Sequence, residues 1–333
     1  MDIVGGSLAG LITAISLKQR NKSLQVVVHE KHKKIGYNPE GRRCAEAHSV
    51  SDEWAKWIPK GKSIFNNITK AYVEVGNYKR TVETELGFGY ILNRQEFICQ
   101  LGREAEKHGA IIQSGDKVKS VSDLDGDFIV DASGCPSTIK REIGIDKGMK
   151  GLTFQQTIED PNSFVADTIK VYYDGRFGYF WIFPRDPEKK EVNVGLGVFG
   201  DIKYKLKDLL EDFKQEKNIH GKVNYVLGGL IPLGLQRPFM YKNILFVGDA
   251  GVGAFPFTGQ GIYRALLSGE LAGICIANGY PKRYPFKVNQ AFIKWEFMGR
   301  VFALFNTRFR KINPNLVLAS LKNFSRFVEI THI

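Results

Sequence analysis

The chain opens with the segment MDIVGGSLAG at residues 1–10, and this segment decides the fold. Its first apolar residues predict a short strand, its glycines predict a turn, and apolar residues at helical spacing continue to Leu17. Residues 24–30, LQVVVHE, then predict a buried parallel strand that ends in the acid Glu30. A strand, a glycine turn, a helix and a second strand in this order predict a βαβ dinucleotide-binding unit.

The glycine turn has the spacing of a dinucleotide fingerprint with one departure. Gly5 would form the tight turn and Gly10 would let the helix pack on the strand, but Ser7 stands where the middle glycine is usual. A serine hydroxyl can still donate a hydrogen bond to a phosphate, and the helix N-terminus offers backbone N–H groups to the anion. Glu30 stands where a carboxylate would accept hydrogen bonds from a ribose. The alternative is a glycine turn in an unrelated α/β protein.

A second segment of the same character lies near residue 250. Residues 247–250, VGDA, end a predicted core strand, so Asp249 lies at the carboxyl edge of the sheet, where ligands bind in open α/β folds. Gly259 and Gly261 follow and open a helix whose N-terminus would face a phosphate or an electron-rich ring. A plain strand-to-helix turn is the alternative for this segment alone. Two such segments at opposite ends of the chain favour one shared cofactor.

Composition limits the classes of function. The 333 residues include 47 Lys and Arg against 35 Asp and Glu, a formal net charge of +12 that suggests an anionic partner. No nucleic-acid recognition motif accompanies this charge, so we expect no nucleic-acid binding. The cysteines stand singly at Cys44, Cys99, Cys135 and Cys275, which argues against a disulfide scaffold and against a metal site. Without a signal peptide or a long apolar run, we expect a cytoplasmic protein.

Several motifs together resemble the FAD-binding flavoprotein superfamily typified by aromatic hydroxylases. They are GGSLAG with Glu30, NRQEF at 93–97, DASG at 131–134 and GDA followed by PFTGQGI. Two further segments resemble the geranylgeranyl reductase family within it. RCAE at 43–46 is similar to that family's R-C-A/G-E loop, and YFWIFPR at 179–185 with NVGLG at 193–197 is similar to its YxWxFPK…NVGLG segment. The resemblance spans roughly residues 1–280.

The resemblance implies an FAD cofactor. With the motifs above, it predicts these cofactor-binding residues: Gly5, Gly6, Ser7, Ala9, Gly10, Glu30, Lys31, Arg43, Cys44, Ala45, Ala47, Arg94, Val118, Asp249, Gly259, Gly261 and Ile262. Arg94 would offer its guanidinium fork to the pyrophosphate, and Asp249 would meet the ribityl or pyrophosphate region. Ala47 departs from the usual glycine, Arg185 departs from the motif's lysine, and the chain is shorter than many members, which leaves the substrate's size open.

Cys44 is the predicted catalytic residue. The resemblance places it near the flavin ring, where a thiol could donate a proton or act as a redox gate. The alternative is a small residue that packs beside the ring and contacts the cofactor through its backbone N–H.

An aromatic segment supplies the predicted substrate-binding residues. Tyr179, Trp181 and Phe183 alternate along a strand and therefore share one face. They would form the wall of an apolar slot for an isoprenoid chain. The alternative is the buried face of an antiparallel sheet, where aromatic residues are common.

The C-terminal segment carries much of the charge surplus, with ten Lys and Arg against two Glu in residues 282–333. Its apolar residues at helical spacing are Ala291, Trp295, Met298, Phe302, Phe305 and Phe309. This face would lie on an anionic membrane or cap a lipid tunnel. The alternative is a helix docked on its domain with a solvated basic face.

These observations predict an α/β protein with a discontinuous Rossmann-like FAD-binding domain (1–67, 93–150 and 238–280). An antiparallel-sheet substrate domain (68–92 and 151–237) and C-terminal helices (281–333) complete it. The expected function is FAD-dependent saturation of C=C bonds in an isoprenoid, geranylgeranyl-type lipid by hydride transfer. With no second Rossmann fingerprint, the electron donor would be an acidic ferredoxin or NADPH. The alternatives are a flavin monooxygenase with a lipophilic substrate, and a non-catalytic lipid-binding or electron-carrying flavoprotein.

Overall fold

The chain divides into two compact units, each built from several chain segments. The computed structural model describes residues 1–37, 46–48, 57–83, 89–160, 162–174, 178–198, 205–256 and 258–309, with only the backbone at 295 and 302–309. The first unit comprises residues 1–41, 94–149 and 231–299, and the second comprises 42–93, 150–230 and 300–333.

Strands and helices alternate at both ends of the chain, and strands dominate between them. The strands are β1 (Asp2–Val4), β2 (Val27–Glu30), β3 (Ala47–His48), β4 (Ile64–Ile68), β5 (Lys70–Val75), β6 (Tyr78–Glu83), β7 (Gly89–Leu92), β8 (Ile111–Ser114), β9 (Ile129–Asp131), β10 (Lys150–Glu159), β11 (Thr168–Asp174), β12 (Gly178–Asp186), β13 (Glu191–Val198), β14 (Lys222–Pro232), β15 (Met240–Tyr241) and β16 (Ile244–Phe246). The α-helices are α1 (Leu8–Arg20), α2 (Arg94–Lys107), α3 (Thr138–Glu142), α4 (Leu206–Glu216), α5 (Ile262–Ala277) and α6 (Tyr284–Phe309).

A six-stranded sheet in the order β15-β16-β9-β1-β2-β8 forms the first unit. Strand β1 pairs in parallel with β2 and β9, and the outer pairs β2–β8 and β9–β16 are also parallel. Only the short β15 runs antiparallel, to β16. The apolar residues of the central strands β1, β9 and β16 are buried, as expected for parallel strands covered on both faces, whereas Ile111 in the edge strand β8 is exposed. This architecture confirms the predicted Rossmann-like α/β fold.

Helices α1 and α5 of the first unit contact each other closely. A Cβ added at Gly269 would lie 2.3 Å from the Ala9 carbonyl oxygen, and one at Gly273 would lie 2.5 Å from Ser16 Cβ. Thr13 Oγ1 donates to the Gly269 carbonyl at 3.1 Å. The helices therefore approach so closely that glycine is required on α5.

The second unit contains a seven-stranded and a three-stranded sheet. The larger has the order β14-β10-β13-β12-β11-β5-β6 and the smaller the order β3-β7-β4. Strands β10, β13, β12 and β11 pair antiparallel, as predicted, whereas β5 pairs with β11 in parallel. One face of β12 and β13 packs on α4 through Phe180, Val194 and Phe213. Trp181 on the opposite face packs with Ile91 of the smaller sheet.

Three segments group differently from the domain boundaries predicted from sequence, and one of them, residues 231–237, belongs to the first unit and not to the substrate domain. Residues 42–67 belong to the second unit, because β3 and β4 pair with β7. Residues 284–299 of α6 belong to the first unit instead of a separate C-terminal segment. Across the described residues, no helix is both long enough and apolar enough to cross a membrane.

We predict that Gly269→Ala destabilises the first unit. Glycine to alanine in a helix normally adds about 1 kcal/mol to the free energy of unfolding. Here the new methyl would meet the Ala9 carbonyl, so we expect a loss of about 1–3 kcal/mol instead. Denaturant unfolding would measure it, with Gly229→Ala as control because nothing lies within 4 Å of a Cβ there. Equal stabilities of the two variants would contradict the close helix contact.

Candidate functional site

The glycine turn between β1 and α1 packs against the end of β9. Gly5 has φ +105°, and a Cβ there would lie 2.6 Å from the Ala132 carbonyl oxygen. Ser7 Oγ donates to the same carbonyl at 3.1 Å and accepts from the Gly10 N–H at 3.4 Å. Ser7 is therefore the N-cap of α1, and its hydroxyl proton goes to the protein backbone. This hydroxyl proton is therefore not directed to a phosphate, and the donors that a phosphate would use here are the backbone N–H groups of the first turn of α1.

Glu30 is fixed beside this turn at the carboxyl end of β2. Its buried carboxylate accepts from the Gly6 N–H and from the His32 N–H, both at 2.9 Å. A carboxylate has about four acceptor positions, so capacity remains for ribose hydroxyl groups. A Cβ at Gly6 would lie 2.2 Å from Ile35 Cδ1 and 3.0 Å from Glu30 Oε2, so glycine is required for the turn to pack against these two side chains. Lys31, also predicted to bind, is exposed.

Asp249 and Arg94 come from distant segments and interact electrostatically. Burial raises the pKa of the Asp249 carboxyl, while the positive charges of Arg94 and Arg264 act in the opposite direction. Gly261 is the N-cap of α5, and a Cβ there would lie 3.8 Å from Asp249 Oδ1. The structure thus brings the start of α2, the segment after β16 and the start of α5 to one region. Predicted site residues Gly259, with φ +70°, and Ile262 flank this helix start.

Two other predicted contacts serve packing in this structure. Ala9 is buried, with its backbone against Gly269 of α5. Val118 belongs to an apolar cluster with Val4 and Ile129. Both residues therefore lie next to the predicted nucleotide-binding strands and support them.

A buried arginine in the first unit escaped the sequence analysis. Arg264 donates from Nε to the Gly253 carbonyl at 2.9 Å and from Nη2 to the Val252 carbonyl at 2.6 Å. Its Nη2 lies 3.3 Å from Glu296 Oε2, and Glu296 Oε1 accepts from the Leu235 N–H at 2.9 Å. The sequence contained one indication of this site, since Arg264 is a charged residue within the apolar start of α5. A buried charge requires a partner, so such a residue predicts a buried ion pair.

The segment RCAE lies partly outside the described residues. Arg43, Cys44 and Ala45 are not among them, so their predicted roles stay predictions. Glu46 and Ala47 are described, and Ala47 packs against the cluster of Trp181 and Phe183.

Glu46 connects RCAE with the YFWIFPR and NVGLG segments. It is buried, has φ +65°, and accepts from Arg185 Nε at 2.7 Å and from Asn193 Nδ2 at 3.1 Å. Arg185 Nη1 also donates to Glu191 Oε2 at 2.6 Å. The two segments that carry the narrower resemblance therefore meet through one buried ion network, which the sequence analysis did not anticipate.

Two further side chains bond to this network. Asn193 Oδ1 accepts from Thr157 Oγ1 at 2.8 Å, and Glu191 Oε1 accepts from Asn224 Nδ2 at 3.0 Å. The Arg185 guanidinium lies 3.9 Å from the centre of the Phe65 ring. A planar guanidinium can bond two carboxylates and stack on a ring together, which a lysine ammonium cannot reproduce. Arginine, which stands at position 185 in place of the motif's lysine, therefore suits this site.

The aromatic side chains of β12 lie on one face, as predicted. Neighbouring ring centres are 5.6 Å apart for Tyr179 and Trp181, and 6.2 Å for Trp181 and Phe183. Trp181 and Phe183 are buried, while Tyr179 is half-buried and burial raises its pKa. A Cβ at Gly195 would lie 2.4 Å from Trp181 Cζ2. Trp181 and Phe183 thus belong to the core between the two sheets of this unit, and Tyr179 keeps access to solvent.

Two solved structures share the fold of this chain. A crystal structure of a geranylgeranyl bacteriochlorophyll reductase-like protein from Thermoplasma acidophilum is 20% identical and superposes with a TM-score of 0.80, covering 96% of this chain and 89% of that one. The myxobacterial chondrochloren halogenase, an FAD-dependent halogenase, is 16% identical with a TM-score of 0.68, covering 90% and 82%. Both superpositions show that this chain shares its fold with these two proteins.

Sequence comparison identifies the family. The sequence model of the geranylgeranyl reductase catalytic domain matches residues 155–230. The digeranylgeranylglycerophospholipid reductase of Methanosarcina acetivorans is 30% identical over 312 residues, which cover 81% of this chain and 73% of that protein. The chain belongs to the geranylgeranyl reductase family, which confirms the resemblance read from the sequence.

We predict that Arg185→Met lowers the free energy of unfolding by about 3–5 kcal/mol, because it leaves two buried carboxylates without their cation. Arg185→Met combined with Glu46→Gln and Glu191→Gln removes those charges and should recover most of the loss. Denaturant unfolding would compare both with Arg103→Met, an exposed control expected to stay within about 0.5 kcal/mol of the parent. If the triple variant is no more stable than Arg185→Met, the charges are not the cause.

We also predict an acid-sensitive second unit. Burial lowers the pKa of His48, in β3, from its ordinary value of 6.5 to about 4. Folding therefore favours the neutral imidazole, and this contribution is present above pH 6.5 and lost as the pH falls towards 4. Between pH 7 and pH 5 the loss is about 2 kcal/mol.

Unfolding curves at both pH values would measure this loss, with His48→Gln and the control His220→Gln compared against the parent. The His48 variant should lose that part of the pH dependence, and the His220 variant should keep it. An unchanged pH dependence in His48→Gln would contradict the prediction.

Proposed function

We propose that the chain binds FAD and saturates carbon–carbon double bonds in the isoprenoid chains of a glycerophospholipid. Membership of the geranylgeranyl reductase family carries this proposal, and the relative named digeranylgeranylglycerophospholipid reductase supports the lipid class. The site in the first unit supplies the second line of support, because its residues suit a dinucleotide.

Three features fit the cofactor. Helix α1 begins at the glycine turn, and the backbone N–H groups at its N-terminus would bind the phosphates. Glu30 would accept hydrogen bonds from the ribose. Arg94 would pair with the pyrophosphate, near Asp249. When bound and reduced, FAD supplies the hydride for the double bond.

The chain's own residues would orient the substrate, keep water away and supply a proton. Each saturated double bond takes up one hydride and one proton, and the double bond is unactivated, so placement in an apolar site is essential. Cys44 is the proposed proton donor or redox gate. Tyr179 is the proposed contact for the isoprenoid chain, while Trp181 and Phe183 stiffen the strand beneath it.

The basic surface favours an acidic electron donor. With a net charge of +12, an acidic ferredoxin would be attracted at long range, and NADPH is the alternative donor.

Anaerobic turnover tests the proposal. We expect the purified protein to hold extractable FAD and, after dithionite reduction without oxygen, to add two hydrogens per double bond to a digeranylgeranylglycerophospholipid, detected by mass spectrometry. Cys44→Ser should slow this reaction by about 100-fold or more if the thiol donates the proton, and the control Cys99→Ser should not.

Other outcomes identify the alternatives. Product that forms only with oxygen and carries an added oxygen atom would identify a monooxygenase. A lipid that is bound but unchanged at several chain lengths would identify a binding or electron-carrying flavoprotein. Equal rates for Cys44→Ser and the parent would remove the catalytic role of Cys44 and leave the reductase proposal standing.

A further inference from the structure

Helix α6 presents two apolar faces, and the first unit covers one of them. Tyr284, Val288 and Phe292 are buried, and Tyr284 Oη donates to the Phe246 carbonyl at 2.8 Å. On the same face, Glu296 pairs with Arg264 in α5. These contacts fix the helix from Tyr284 to Glu296, so the direction of its other face is fixed as well.

The other face exposes large apolar side chains in a row. Phe286, Ile293 and Phe297 are exposed by 66%, 45% and 70%. Their spacing of seven and four residues places them on one stripe about 16 Å long. This is not the stripe predicted from sequence, since Ala291 and Met298 are half-buried. Exposed apolar rows on a folded helix commonly mark an interaction surface.

Cations surround this stripe. Lys282, Arg283, Lys287 and Lys294 are all exposed, and the single acid in residues 282–297 is the buried Glu296. Lys287 directly follows Phe286, and Lys294 directly follows Ile293. Each lysine therefore lies about 100° further round the helix and borders the stripe on one side. Exposed Arg237 borders the other side, where its Nη2 donates to Asn289 Oδ1 at 2.6 Å.

The charge pattern selects the occupant. A two-fold dimer through this face would bring each set of cations against its own copy, and like charges oppose such contact. Residues 310–333 carry four Lys and Arg against one Glu, so this segment is not complementary either. An anionic lipid surface matches both the cations and the apolar stripe. Its phosphates would pair with the cations, and the phenyl rings would enter the boundary between headgroups and acyl chains.

We propose that the outer face of α6, defined by Phe286, Ile293 and Phe297 with Lys287 and Lys294, lies on an anionic membrane surface. The inference goes beyond the proposed reaction, since it concerns binding to the bilayer and needs neither FAD nor turnover. It would hold the protein at the layer in which a phospholipid substrate resides.

Vesicle co-sedimentation of the full chain tests this surface. We expect binding to vesicles of equal parts phosphatidylglycerol and phosphatidylcholine, little binding to phosphatidylcholine alone, and weaker binding as salt increases. The variant Phe286→Ser/Phe297→Ser should reduce partitioning by about tenfold or more. Lys287→Gln/Lys294→Gln should reduce it by about 30-fold at low salt. Ile111→Ser, at another exposed apolar residue of the first unit, is the control and should bind like the parent.

The outcomes separate this surface from the reaction. Activity on detergent-dispersed lipid should be the same in the parent and in the α6 variants. If neither the parent nor the variants reduce the lipid, that result contradicts the proposed function and leaves the membrane surface standing. Absence of binding to anionic vesicles, or equal binding by all variants, would overturn the membrane surface. A parent that sediments as a dimer in solution, with a monomeric Phe286→Ser/Phe297→Ser variant, would also overturn it and assign the face to self-association.

Discussion

Arg185 lies between the carboxylates of Glu46 and Glu191, with all three side chains almost completely buried. Removing three charges from water is costly, and the cost is offset only when geometry is good and every remaining polar atom has a partner. Asn193 and Asn224 provide such partners. The network therefore joins the end of RCAE to β12 and β13, and it holds the left-handed backbone at Glu46 in place.

The first unit uses a similar device near Asp249. Arg264 bonds the backbone that follows Asp249 and also pairs with Glu296 of the last helix. A phosphate at the start of α1 would add negative charge to a region that already contains Asp249, and the arginines offset it. The same guanidinium thus contributes to helix packing and to the electrostatic balance of the candidate site.

Local sequence patterns predicted the parts of the fold that depend on neighbouring residues. The βαβ unit was evident because turn glycines, helical spacing and a terminal acid fall within one short segment. The parallel pairing of β5 with β11 was not evident from the sequence. Apolar and polar residues alternate along a strand in the same way whether its partner runs parallel or antiparallel. The exposed face of α6 was also missed, since two apolar stripes on one helix leave periodicity unable to say which packs inward.

The candidate site was predicted only in part for a related reason. Motif spacing indicated Glu30 and Asp249, whose roles follow from their places at strand ends. The pairing of Glu46 with Arg185 depends on contacts between residues 139 positions apart, which a single sequence does not encode visibly.

Gly195, which lies opposite Trp181 on the neighbouring strand, limits which substitutions the core of the second unit can accept. The indole occupies the space that a Cβ at Gly195 would need, so ring and glycine form a complementary pair across two strands. A side chain could enter at position 195 only together with a smaller residue at 181. A side chain added at position 195 alone would clash with the indole, and a smaller residue at position 181 alone would leave a cavity, so only paired changes keep this part of the core filled.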